Sequence, residues 1–417
     1  MQEMKDSGIS WVGEIPKEWS VNRAKYCFVN TKEIAGCRSD RYERLALTMN
    51  GVIKRSKDDS NGLQPEKFET YQILRPDELV FKLIDLQNVS TSRVGLSPYL
   101  GLVSPAYIIL KSNKRVLSAF AEKYFLMLWK NQIFNALGDA GVRSNLNSKD
   151  LLELSIPFPS LAEQQRIAEF LERECGKIDG LKADIQAQID TLEQYKRSVI
   201  TEAVTHGLNP SAPMKDSGIP WVGQFPIHWT KKKGKYILHY MSKPVKQDDG
   251  VITCFRDGEV TLRSNRREDG FTMADKEIGY QGVDVGDLVV HGMDGFAGAI
   301  GISDSRGKAS PVLNVLNTKQ NKKYIMYYLR SMAFGEVFTA LSTGIRVRSC
   351  DLRWNKLAEL LYPLPPIDEQ NNIVNYIDEQ IARTNEIIAD KKLQIETLDS
   401  YKKSLIYEYV TGKKEVV

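Results

Sequence analysis

Apolar residues along the chain follow two rhythms. Short β-like runs such as Glu78–Lys82, Ala106–Leu110 and Asp287–His291 are punctuated by Gly, Asn and Asp, the pattern of strands joined by turns. Each run of strands closes with an apolar, helix-like stretch, residues 119–137 and 323–341. The two regions, 20–157 and 230–363, therefore read as mixed α+β domains. The segment after each is different. Between Leu161 and Val204 there is no Pro and only two Gly, and Leu171, Ile178, Ile185, Leu192 and Val199 recur every seven residues. This spacing predicts a long helix with a coiled-coil seam. Leu181 and Tyr195 fit as its second seam position, interrupted by Glu174 and Gln188. A second helix follows residue 364, with Ile377, Thr384, Ile387, Lys391, Leu398, Tyr401 and Leu405 as its seam. Interrupted seams favour one register between two helices over open-ended association, so an intramolecular antiparallel pair is expected. Each helix of about 40 residues would span roughly 60 Å.

The rhythm repeats because the sequence does. Met4–Trp19 and Met214–Trp229 agree at eleven of sixteen positions, at an offset of 210. Residues 157–205 match 363–411 at an offset of 206, keeping Pro157/Pro363, Glu163/Glu369, Gln164/Gln370, Tyr195/Tyr401 and Lys196/Lys402. Gly95, Ser97, Gly101, Ser104 and Pro105 likewise precede Gly301, Ser303, Gly307, Ser310 and Pro311 by 206. The chain is two copies of one unit: a lead-in segment, a divergent globular region and a long polar helix.

At 417 residues and 42% hydrophobic, 26% charged, the composition is that of a globular protein of two or three domains. No apolar run approaches a membrane span, and the N-terminus lacks a signal-peptide core, so a cytoplasmic location is expected. Cys27, Cys37, Cys175, Cys254 and Cys350 form no CxxC pair, which points to reduced thiols rather than a disulfide framework or zinc ribbon. The net charge of +4 gains meaning when divided. Residues 20–157 carry 20 Lys and Arg against 14 acids, and residues 230–363 carry 21 against 15. The helical segments 158–204 and 364–410 carry 6 against 9 and 5 against 9. Two basic lobes are joined by acidic rods, and basic lobes attract a phosphate backbone.

No phosphate-binding loop, H-E-x-x-H motif or histidine pair with metal-ligand spacing is present. Gly295–Gly301 mimics a nucleotide loop only superficially. Neither a catalytic residue, a cofactor site nor a metal site is assigned, and the chain is expected to be non-catalytic by itself.

These duplicated motifs resemble the specificity subunit of a type I restriction-modification system: W-V-G-x-x-P-x-x-W at Trp11–Trp19 and Trp221–Trp229, the Pro pairs before Glu163-Gln164 and Glu369-Gln370, and Y-K-x-S at Tyr195 and Tyr401. The resemblance spans essentially the whole chain. It implies an α+β protein with two tandem mixed α/β target recognition domains, separated by two long antiparallel coiled-coil helices in a pseudo-twofold repeat. The corresponding segments are 1–157 and 208–363 for the recognition domains with their lead-ins, 158–207 for the first spacer helix, and 364–417 for the second helix and tail. It further implies that each domain reads half of a bipartite, asymmetric DNA site, and that the helices set the spacer and dock two methyltransferase subunits. Restriction (translocase) subunits would join them, and S-adenosylmethionine, ATP and magnesium would belong to those partners. The runner-up reading is a non-catalytic coiled-coil scaffold for proteins.

Candidate DNA contacts lie in loops rich in Arg, Lys, Asn and Gln. In the first domain they are Lys54, Arg55, Lys57 and Asn61; Gln87, Asn88, Ser90 and Arg93; and Arg143 and Asn145. In the second they are Arg263, Asn265, Arg266 and Arg267; His291; and Arg346 and Arg348. Arg346 is the counterpart of Arg143, and a shared Arg suits phosphate better than a base. Trp11, Trp221, Tyr71 and Tyr99 read as core or interface. Glu163, Gln164, Glu369 and Gln370 are candidates for partner docking, although acids in a first turn also suit the helix dipole.

Overall fold

The computed structural model describes residues 3–59, 67–84, 86, 91–138, 145–266, 277–341 and 352–416. It divides into two compact units, one built from the chain up to Ile185 together with Leu393 onwards, the other from Gln186–Lys392. Each unit therefore holds one globular region, a stretch of its own long helix and a stretch of the other.

In the first unit the strands β1 (Phe28–Thr31), β2 (Leu79–Phe81), β3 (Val94–Leu96) and β4 (Ile108–Ser112) form an antiparallel sheet in the order β1-β4-β2-β3. Helix α1 (Ser118–Lys130) packs Phe120, Tyr124, Phe125 and Leu128 against it. Leu171 and Ile178 of α2 (Leu161–His206) join this core. In the second unit β5 (Leu238–Tyr240), β6 (Leu288–His291), β7 (Ile300–Ile302) and β8 (Leu313–Thr318) repeat the same order, β5-β8-β6-β7. Helix α3 (Lys322–Phe334) covers that sheet with Tyr324, Tyr328 and Leu329. Ile373 and Ile377 of α4 (Ile367–Val410) complete its core. The closure is reciprocal: Ile200 and Val204 from the end of α2 enter the second core, and Leu405, Ile406 and Val410 from the end of α4 enter the first.

The lead-in segments are β-hairpins, Met4–Asp6 with Glu14–Pro16 and Met214–Asp216 with Gln224–Pro226. Trp19 and Trp229 are buried, and Trp11 and Trp221 are half-buried against the two cores. Trp11 Nε1 donates to Tyr124 Oη at 3.2 Å and Trp221 Nε1 to Tyr328 Oη at 2.9 Å. The apolar stretches 119–137 and 323–341 are each broken rather than continuous, because Gln132 (φ 62°) and Glu336 (φ 56°) turn left-handed at corresponding places.

Both long helices are present, at 46 and 44 residues, and in each unit they pair antiparallel. Asp179 meets Lys402 while Lys182 meets Asp399, and Gln188 meets Lys391 while Lys196 meets Asn385. The partner number falls as the other rises. The first seam position is the expected one, whereas the second lies one residue further along. Leu181, Tyr195, Ile387 and Tyr401 are 53%, 47%, 46% and 56% exposed. The inward positions are Cys175, Lys182, Ile189, Lys196 and Ala203 on α2, and Ile381, Ile388, Ile395 and Lys402 on α4. The Lys182, Lys196 and Lys402 side chains are only 26%, 18% and 17% exposed, since a lysine stem buries well while its ammonium reaches a polar partner.

Candidate nucleic-acid interface

In the second unit the hairpin Ile252–Cys254 with Val260–Leu262, the following turn and the end of β6 enclose a cleft of about 770 Å³. Arg256, Arg263, Arg266 and His291 line it, and two carboxylates, Asp257 and Asp294, temper them. Arg266 lies over the Phe255 ring at 4.1 Å and bonds Asp257 at 2.7 Å and Glu259 at 2.8 Å. These contacts fix the direction of its planar guanidinium. Burial alone would raise the Asp257 carboxyl, yet the hydrogen bonds from Arg266 and the Glu259 N–H, together with the charges of Arg266 and Arg330, outweigh it and the pKa lies below the ordinary value. Arg256 pairs with Asp294 at 3.0 Å, and Arg263 Nε donates to Thr253 Oγ1 at 3.4 Å. Asn265 donates to Thr261 Oγ1 at 2.9 Å on the same turn. Sequence reasoning missed Arg256, which sits in a short Phe-Arg-Asp-Gly turn without a basic neighbour.

His291 ends β6, where backbone N–H groups of Met293 and Asp294 both donate to its Nδ1, at 3.2 and 3.0 Å. Burial lowers its pKa below the ordinary histidine value, so the ring is neutral near pH 7 and carries its proton on Nε2.

In the first unit Lys54 and Arg55 lie on the strand Gly51–Arg55, which pairs with Arg44–Thr48. Lys54 bonds Glu43 at 2.6 Å and rests over Tyr99 at 5.4 Å. Arg55 bonds Asp59 at 2.6 Å. Lys57 donates to the Ser39 carbonyl at 2.9 Å and lies over Phe68 at 5.6 Å. Asn145 is exposed. The remaining candidates, Asn61, Gln87, Asn88, Ser90, Arg143, Arg267, Arg346 and Arg348, lie outside the described residues.

Residues 55–191 match the family model for the type I restriction modification DNA specificity domain. Over 97% of its length the chain is 22% identical to a Methanocaldococcus jannaschii protein assigned as the MjaX type I restriction enzyme specificity subunit, of which 96% is covered. It is 20% identical to the StySPI type I restriction enzyme specificity subunit of Salmonella potsdam, over 68% of this chain and 63% of that one. A solved chain from a study of complex assembly and conformational transition of the type I R-M system superposes with a TM-score of 0.66 at 13% identity, covering 96% of this chain and 99% of its own. Along nearly its whole length the chain is similar to type I restriction enzyme specificity subunits.

Three candidate residues take other roles than the sequence suggested. Arg93 has no exposed surface. Its chain runs into β3, and its Nη1 lies 3.4 Å from Thr91 Oγ1. It supports the fold from inside and cannot reach a DNA strand in this conformation. Gln164 and Gln370 are likewise fully buried. Gln164 Oε1 accepts from the Leu117 N–H at 2.8 Å and its Nε2 donates to the Pro159 carbonyl at 3.0 Å. Gln370 does the same with the Asn321 N–H at 3.0 Å and the Pro365 carbonyl at 2.9 Å. Leu117 and Asn321 are the N-caps of α1 and α3. Each glutamine therefore ties the start of a long helix to the start of the helix that covers the sheet, satisfying a terminal N–H that would otherwise be orphaned. No face remains for a partner. Glu163 and Glu369 are half-buried. Glu369 accepts from Trp229 Nε1 at 3.0 Å and bonds His228 Nε2 at 2.7 Å, an arrangement the sequence did not foretell.

Proposed function

We propose that this chain is the DNA sequence-recognition subunit of a type I restriction-modification complex, each globular region reading one half of a bipartite, asymmetric site. The observation that carries the reading is the convergence of Arg263 and Arg266 from one turn and His291 from the end of β6, with Arg256, on one open cleft. Guanidinium groups held by aromatic and carboxylate partners suit phosphates and guanine edges. The two sheets share their topology, while the polar groups around them differ between units. Shared scaffold with divergent surface is the design expected of two readers with different half-sites. One bidentate contact discriminates by about 1–3 kcal/mol, and a specific site needs about 4–10 kcal/mol, so two readers are needed where one would be marginal.

In this reading the antiparallel helices set the number of unread base pairs between the half-sites and, with surfaces other than Gln164 and Gln370, dock two methyltransferase subunits. Restriction subunits complete the assembly. S-adenosylmethionine, ATP and magnesium serve those partners, and this chain performs no chemistry of its own. No helix among the described residues is long and apolar enough to cross a membrane, and we place the complex in the cytoplasm with its DNA. Selection of bound duplexes from a random pool by the purified complex tests the proposal. Two conserved blocks separated by a fixed gap are expected, whereas equal binding of all sequences would refute it.

A further inference from the structure

The polarity of one contact in the second unit can be read from the backbone around it. His291 Nδ1 accepts two main-chain N–H groups, so a proton placed there would face two donors at hydrogen-bonding distance. The ring must carry its single proton on Nε2. Among the described residues that Nε2 has no hydrogen-bond partner, while the ring lines the cleft beside Arg256, Arg263 and Arg266. The acceptor nearest to it in sequence, Asp294, is engaged by Arg256. At this corner the cleft offers N–H donors, and His291 holds the one whose direction is fixed by the fold.

We infer that His291 is a specificity-determining residue that reads one base edge as an obligate donor. It would accept a position presenting an acceptor and reject cytosine, whose major-groove edge presents only the N4 amino donor; guanine offers N7 and O6, thymine O4 and adenine N7. Two donors face each other when cytosine occupies the position, and a buried donor left unpaired is penalised. Unlike a lysine or a solvated arginine, this ring cannot swing or change tautomer without breaking both bonds to its turn. The inference rests on the DNA-recognition reading and assigns a sign to one of its contacts.

The test uses the full chain with its methyltransferase subunits, selecting duplexes from a randomised pool with wild type, His291→Asn and His291→Glu. Asparagine keeps an oxygen where Nδ1 caps the turn but withdraws the far donor. Wild type is expected to exclude cytosine at one position of a single half-site. His291→Asn should relax that position by about tenfold, the equivalent of a hydrogen bond of about 1.4 kcal/mol, and leave the other half-site unchanged. His291→Glu, an acceptor, should shift the same position towards cytosine. If both variants select the wild-type sequence, or if they weaken all positions alike with unfolding temperatures preserved, the inference is overturned while the recognition reading stands. If wild type itself shows no preference, the recognition reading fails first.

Discussion

Lys402 of α4 places its ammonium 2.6 Å from both carboxylate oxygens of Asp179 on α2, and the 206-residue repeat reproduces the contact in the second unit as Lys196 to Asn385 at 2.8 Å. One copy is an ion pair and the other a neutral-acceptor hydrogen bond. Both sit in the seam, where a polar pair penalises any slipped alignment more than it strengthens the correct one. With Asp179 mostly exposed, a double-mutant cycle on Asp179→Ala and Lys402→Ala should return a coupling of only about 0.5–1 kcal/mol in denaturant unfolding. The exchange Asp179→Lys with Lys402→Asp should recover most of the stability lost in either single charge reversal. A coupling above about 3 kcal/mol would mean that the pair behaves as buried.

Gly412 and Gly207 end the two long helices at φ +70° and +79°, the left-handed stop that glycine adopts freely. They also allow close approach. A Cβ on Gly412 would meet the Pro16 ring at 2.4 Å, and one on Gly207 would meet Trp229 at 3.2 Å. Gly412→Ala is therefore expected to lower stability by more than about 1 kcal/mol. Gly180, inside α2 with open space around it, should behave oppositely, with Gly180→Ala raising stability by about 0.5–1 kcal/mol. Thermal unfolding of the two variants side by side checks both signs.

Acid should loosen the second unit through Asp284. Hydrogen bonds from Lys243 and then Arg306 hold its pKa down to about 2 against an ordinary value of 3.8, and Asp249 and Asp287 share the same two cations. Because the folded-state value is the lower one, the stabilisation is complete above the unfolded value, near pH 4. It is lost as pH falls from there towards 2. Denaturant midpoints measured between pH 5 and 2.5 should fall, and Asp284→Asn should flatten part of that fall while lowering stability at pH 7. An unchanged slope in Asp284→Asn would exclude this carboxylate as a contributor.

The repeat, the paired helices and the basic lobes were legible in the sequence because they rest on residue identity and spacing. What stayed hidden depends on partners distant along the chain. Lys182, Lys196 and Lys402 look like surface charges beside Leu181, Tyr195 and Tyr401, and only the facing helix shows that the lysines turn inward. Gln164 recurs as Gln370, which suggested docking. That recurrence instead reflects a bond to Leu117 or Asn321, about fifty residues away. Arg93 shares the composition of a DNA-reading loop but sits at the start of a buried strand. The glutamines give this a consequence. Gln164→Leu should destabilise by about 1–3 kcal/mol, the penalty for a buried N–H left without an acceptor, and Gln370→Leu should do the same in the second unit. Methyltransferase binding measured at a temperature where the variants remain folded should be unaffected.

On the proposed reading, Arg266 gives the most direct measure of how the cleft would engage a polyanion. Its charge is shared between Asp257 and Glu259 before any DNA arrives, so a phosphate or guanine edge must compete with two carboxylates for the same donors. Arg266→Ala should weaken binding to all sequences. If the contact is to phosphate, it should also reduce the slope of log affinity against log salt by about one. If the contact is to a base, the slope should change little and one position of the half-site should relax instead. Glu259→Gln separates the competition from the contact. It removes one competing charge while leaving the Asp257 bond and the Phe255 stack to aim the guanidinium, so affinity for random duplex should rise and its salt dependence steepen. Salt-titrated binding of the full complex with wild type, Arg266→Ala and Glu259→Gln measures all three outcomes. If Glu259→Gln weakened binding, the carboxylate would be positioning Arg266 rather than competing for it.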